Sequence, residues 1–149
     1  MKSKINLQAI KTEAAQLYLN GDYYCSEAIV ATIRKHFDID MPLEAVAMAS
    51  GFPIGVGGTK CMCGAIPGGV ICIGYFFGRT TPGDPKVKKT MELAQELVDD
   101  FKGRNKVLCC HVLTKGMEMG SEAHKKQCAI FTGEVAEKTA EILARELGL

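Results

Sequence analysis

The sequence predicts an all-α fold: a single-domain bundle of about five to seven helices around a buried, glycine-rich central helix. Three observations carry this expectation. Apolar residues recur at helical spacing along nearly the whole chain, no stretch alternates as a half-buried strand does, and helix start and stop signals bound the periodic segments. A chain of 149 residues is also long enough to bury a core without covalent staples, so one domain over residues 1–149 is expected.

Ile5 to Leu19 reads as the first helix, stopped by Asn20–Gly21. Asp22 is the expected N-cap of a second helix, YYCSEAIVATIRKHF. Pro42 opens a third, PLEAVAMAS, which ends at Gly51. A glycine-rich loop, GFPIGVGGTK, leads into a fourth helix from about Cys63 to Phe77. After the turn TTPGDP comes a long amphipathic helix, about Lys86 to Phe101. A short helical piece around Val107–Thr114 and a last helix from about Cys128 to Leu147 complete the order.

Between Ala45 and Gly78 the only charged side chain is Lys60. The eighteen uncharged residues from Cys61 to Gly78 have the length of a membrane span. Pro67, five glycines and the polar character of the rest of the chain favour a central helix wrapped by the others. Gly64–Gly68 and Gly74–Gly78 leave one stripe nearly bare, so neighbouring backbones or a cofactor could approach closely.

Composition excludes several functions. With 18 basic and 17 acidic residues and no basic run interleaved with aromatics, no nucleic-acid surface is expected. His124–Lys126, the densest basic run, reads as a solvated turn, and Asp99–Asp100 as solvated surface. GVGGTK lacks the Gly-Lys-Ser/Thr order of a phosphate loop. His36 and His124 have no carboxylate or serine partner that spacing identifies. The opening stretch MKSKINLQAI lacks the features of a signal peptide, and a cytoplasmic setting is expected. Seven cysteines, an odd number, in a reducing compartment point to metal binding or redox work more than to a disulfide framework.

Helix geometry sorts these cysteines. Cys63 and Cys72 fall on opposite helix faces, and Cys61 and Cys72 would lie about 16 Å apart along the axis. Cys72 is therefore expected to be a buried small hydrophobe. Cys25, Cys63 and Cys128 each fall near an expected helix N-terminus, where partial positive charge and free N–H groups favour a thiolate or an anionic metal–sulfur centre. The pair Cys109–Cys110 adds sulfur, one member expected at the site and one in the core. Cys61 and Cys63 could instead form an easily reduced disulfide. No C-x-x-C is present, which removes the thioredoxin motif and the C-x-x-C-H attachment of covalent c-type haem.

CGAIPG, Cys63 to Gly68, resembles the CGAxxG core of a redox-active family known by its C_GCAxxG_C_C pattern. Cys25 in YYCSEAIV resembles the upstream cysteine of that pattern. In LCCHVLTKG the matching cysteine is Cys110, three residues before Leu113, and Cys128 in KKQCAIF resembles the last. The resemblance covers almost the whole chain. It implies a small helical bundle in which Cys25, Cys63, Cys110 and Cys128 converge on a redox or metal centre. Related domains occur fused to haem-binding segments, which this chain lacks. Cys61, Cys72 and Cys109 stand outside the pattern.

The leading expectation is an iron–sulfur protein, with a [2Fe–2S] centre favoured, for one-electron transfer or sensing. Gly64 and Gly68 would bring backbone close to that centre. One alternative is a thiol–disulfide oxidoreductase using Cys63 with Cys61 or another pattern cysteine. Another is a structural zinc module with four cysteine ligands, and a last one holds no metal at all. If the chain is an enzyme, it is an oxidoreductase. His111, beside Cys110, could replace a thiolate. A redox partner protein is implied, no membrane span is expected, and the uncharged stripe leaves room for a homodimer.

Overall fold

The computed structural model describes residues 4–37 and 39–149, so the first three residues of the stretch read for a signal peptide lie outside it. Among the described residues there are seven helices and no strand. They are α1 (Leu7–Leu19), α2 (Cys25–Phe37), α3 (Glu44–Met48), α4 (Ala65–Phe77), α5 (Val87–Asn105), α6 (Cys110–Leu113) and α7 (Glu122–Leu147). All pack on one hydrophobic core built from residues such as Ile10, Ile29, Ile66, Leu97 and Leu143.

Caps set the boundaries. Asn6 Oδ1 accepts from the Ala9 N–H at 3.0 Å and starts α1 two residues later than apolar periodicity suggests. Gly21, at φ 77°, turns the chain out of α1. Asp22 does not cap α2. The Tyr24 N–H instead donates to Glu27 Oε1 at 3.1 Å, and the Tyr24 carbonyl accepts from Ala28 at 2.8 Å. The helix therefore begins at Cys25, which occupies its first position and not its third.

The last helix starts well before Cys128. Ser121 Oγ accepts from the His124 N–H at 3.2 Å and opens α7 at Glu122. His124 to Lys126 read as a solvated turn, and the apolar periodicity of the last helix begins only at about Cys128. A good cap and strong helix formers suffice to extend the helix through them. His124–Lys126 is thus helix and not a solvated turn, and Cys128 lies two turns inside α7 instead of at its start.

α7 is the spine, packed against α1, α2, α4 and α5, while α4 packs between α2, α5 and α7. The first half of α4 is buried, through Gly68, Gly69, Cys72 and Ile73, and its end emerges at exposed Tyr75. Among the described residues no helix is long and apolar enough to cross a membrane.

Candidate functional site

Cys25, Cys63, Cys110 and Cys128 line one small cavity of about 30 Å³, room for more than one water molecule. They reach it from the start of α2, the residue before the Gly64 cap of α4, the start of α6 and the interior of α7. Electrostatics reports the convergence directly. A charge on the Cys25 sulfur would be opposed by charges on Cys63, Cys128 and Cys110. Cys63 likewise feels Cys128 and Cys110, and Cys128 feels Cys110. Charge on any one of the four thus opposes charge on the others.

Two backbone hydrogen bonds hold two of these segments in register. The Cys63 N–H donates to the Leu108 carbonyl at 2.7 Å, and the His111 N–H donates to the Lys60 carbonyl at 2.9 Å. Gly64 makes room for sulfur, since a Cβ there would lie 3.1 Å from Cys25 Sγ and 2.6 Å from the Phe52 carbonyl oxygen. Gly68 does not reach the cavity. It lies against the backbone of Ser26, so its contribution to the site is to seat the helix that carries Cys25.

The loop before Cys63 covers one side of the cavity with Ile54 and Gly55. Ile54, Gly55, Val56, Gly57 and Gly58 all have positive φ, between 53° and 82°. Two β-branched residues in this left-handed stretch store strain, as active-site backbones commonly do. Thr59 Oγ1 clasps the turn by donating to the carbonyls of Gly55 (2.6 Å) and Val56 (2.9 Å).

Burial pushes all four thiols up, Cys63 to about 12, and makes isolated thiolates costly. Each sulfur nevertheless has its own compensating group. Cys25 has the Ser26 N–H. Cys63 has the Ala65 and Ile66 N–H groups of the α4 N-terminus. The Lys60 ammonium favours charge on Cys110. His124 Nε2 lies 3.4 Å from the Cys128 sulfur, with Tyr18 beside it in the cavity wall. This set of donors fits an anionic metal–sulfur centre. Among the described residues, no group of three or more His, Cys, Asp or Glu is disposed to hold a single metal ion.

The other singled-out residues lie elsewhere. Cys61 is exposed and Cys72 is in the core, neither at the cavity. Cys109 is half-buried, its Sγ 3.7 Å from the Lys60 carbonyl oxygen, and His111 is exposed. His36, which spacing left without a partner, pairs with Glu13 across α1 and α2. Sequence reasoning missed Tyr18, Tyr24, His124 and Phe131 in the cavity wall. The available signal was His124–Cys128 at i,i+4, which is visible only once α7 is extended to Glu122.

A family model described as "Putative redox-active protein (C_GCAxxG_C_C)" matches residues 23–142. No curated protein and no solved structure matches the chain.

Proposed function

Because the chain belongs to the C_GCAxxG_C_C family of redox-active proteins, we propose that it holds an iron–sulfur centre, most simply [2Fe–2S], on Cys25, Cys63, Cys110 and Cys128. The observation that carries the reading is the meeting of these four sulfurs at one cavity, each with its own donor or cation. Bound there, such a centre supplies one-electron transfer. Loading it would release the four thiol protons, the usual linkage of metal to thiolate.

The competing readings have less support. Thiol exchange through Cys63 needs an accessible thiol of low pKa, whereas Cys63 is buried and pushed the other way. Cys61 is exposed, but it does not share the cavity with Cys63. Zinc sites on four cysteines draw their ligands in close sequence pairs, whereas these four are widely separated along the chain. A two-iron centre spreads its ligands in pairs over separate irons. The chain's reaction partner would then be a one-electron donor or acceptor protein. Seven free cysteines suit a reducing compartment such as the cytoplasm.

The test is the visible absorption of protein purified without oxygen, before and after dithionite. Broad bands that bleach on reduction, and are lost in Cys→Ala variants at the four positions, support the reading. A protein that stays colourless after reconstitution with iron and sulfide overturns it.

A further inference from the structure

The four sulfurs do not receive their hydrogen bonds in the same way. Cys25 and Cys63 sit where helices begin and take free backbone N–H groups. Cys128 lies inside α7, where backbone N–H groups are consumed by the helix itself. A donor to its sulfur must come from a side chain, and one is in place.

It is His124, one turn earlier on α7. Its ring is set by a reciprocal cap. Ser121 Oγ accepts the His124 N–H at 3.2 Å, and His124 Nδ1 accepts the Gly120 N–H at 3.2 Å. A ring nitrogen that accepts carries no proton, so the neutral imidazole bears its proton on Nε2. That nitrogen stands 3.4 Å from Cys128 Sγ. A histidine that ligates a metal through Nε2 has its Nδ1–H facing an acceptor. Here Nδ1 faces a donor, so the wiring suits a hydrogen bond to sulfur and not ligation.

We infer that His124 is a positioning residue for Cys128, acting as an Nε2–H donor to its sulfur and not as a ligand, and that this hydrogen bond favours reduction of the centre. The inference rests on the iron–sulfur reading for its redox part and on this geometry alone for its donor part. Reduction adds one electron, supplied by the reductant, with no bond made or broken. It would raise negative charge on the ligand sulfurs, and a sulfur that receives a hydrogen bond accommodates that charge better than one that does not. Losing a donor therefore makes reduction harder.

Two measurements on the full chain test this. In metal-free protein, ¹⁵N resonances report the His124 tautomer. The Nε2–H form is expected, with its proton resonance shifted in Cys128→Ala, whereas an Nδ1–H form overturns the donor assignment. In iron- and sulfide-loaded protein, His124→Leu should make reduction about tenfold less favourable. His124→Gln, which keeps an N–H near the Nε2 position, should restore the wild-type midpoint potential. Equal potentials in wild type and His124→Leu overturn the redox part, and if His124→Leu does not fold, His124→Phe takes its place. A wild-type protein that takes up no centre overturns the function proposed above and with it the redox part. The tautomer then still decides the donor assignment.

Discussion

Gly68 of α4 lies directly against the backbone of Ser26 in α2: a Cβ at position 68 would stand 2.8 Å from the Ser26 carbonyl oxygen and 2.9 Å from its Cα. Both neighbours are backbone, so neither can step aside as a flexible side chain would. Ser26 is itself held, its Oγ donating to the Ala49 carbonyl at 2.7 Å. Gly68→Ala should therefore push α2 off α4 and cost about 1–3 kcal/mol in denaturant unfolding. It should also displace Cys25 and weaken uptake of iron and sulfide. Gly74→Ala in the same helix is the control. Nothing lies within 4 Å of a Cβ there, and helix propensity predicts a gain of about 0.5–1 kcal/mol. Equal effects at the two positions would refute the close-approach account.

Gly55 offers a second steric test, at the cavity cover. It has φ 63°, and a Cβ would fall 2.4 Å from the Cys61 nitrogen and 2.5 Å from Lys60 Cα. Gly55→Ala cannot be absorbed without opening the left-handed loop. The expected result is faster modification of the cavity thiols by a disulfide reagent, with helix content by circular dichroism unchanged. Gly57→Ala, equally left-handed but in open space, should cost only the backbone strain of about 1 kcal/mol and leave the thiols as slow as in wild type. Unchanged rates in Gly55→Ala would mean that the loop does not control access.

Exposure orders the cysteines outside the cavity. Cys61 is exposed, whereas Cys72 is fully buried and its thiol is pushed up by that burial. In native metal-free protein, mass-mapped alkylation should label Cys61 first and Cys72 only on global unfolding. Labelling of Cys72 at a native rate would contradict its place in the core.

One ion pair gives a pH signature away from the site. Arg145 of α7 holds Glu96 of α5 through two hydrogen bonds of 2.7 Å each, with Lys138 Nζ 3.4 Å away. The hydrogen bonds from Arg145, more than any other contact, bring the Glu96 carboxyl down to about 2. A carboxyl depressed on folding stabilises the protein above its unfolded pKa of about 4.3 and loses that contribution as pH falls toward the folded value. The pair is partly exposed, so the size is about 1 kcal/mol or less. Glu96→Gln should lower the denaturant midpoint at pH 7, and the gap should narrow below about pH 4.3. A gap that does not change with pH would show that the loss is one of packing.

Much of this molecule is legible in local sequence. Periodicity finds α1, α2, α4 and α5, because an amphipathic stripe is a property of neighbours along the chain. The N-terminal position of Cys63 is legible for the same reason, since Gly64 and Pro67 mark where the helix can begin. Two caps are not legible. Tyr24 and Glu27, not Asp22, start α2, and Ser121 with His124 starts α7 ahead of its apolar stripe. Several residue types can satisfy the same free N–H groups, and the spatial competition among them decides.

By itself, then, the sequence determined an all-α chain with four cysteines in family-matching contexts and a nearly uncharged fourth helix. Tertiary structure alone decided which side chains meet. Packing of α1 on α7 brings Tyr18 to the cavity that holds Cys128, and closure of the strained loop brings Ile54 over it. The same folding leaves Cys72 in the core and Cys61 in solvent. The reason is that helix periodicity and caps act over one or two turns, whereas the site is assembled from residues more than a hundred positions apart, from Tyr18 to Cys128, whose approach depends on how whole helix faces fit.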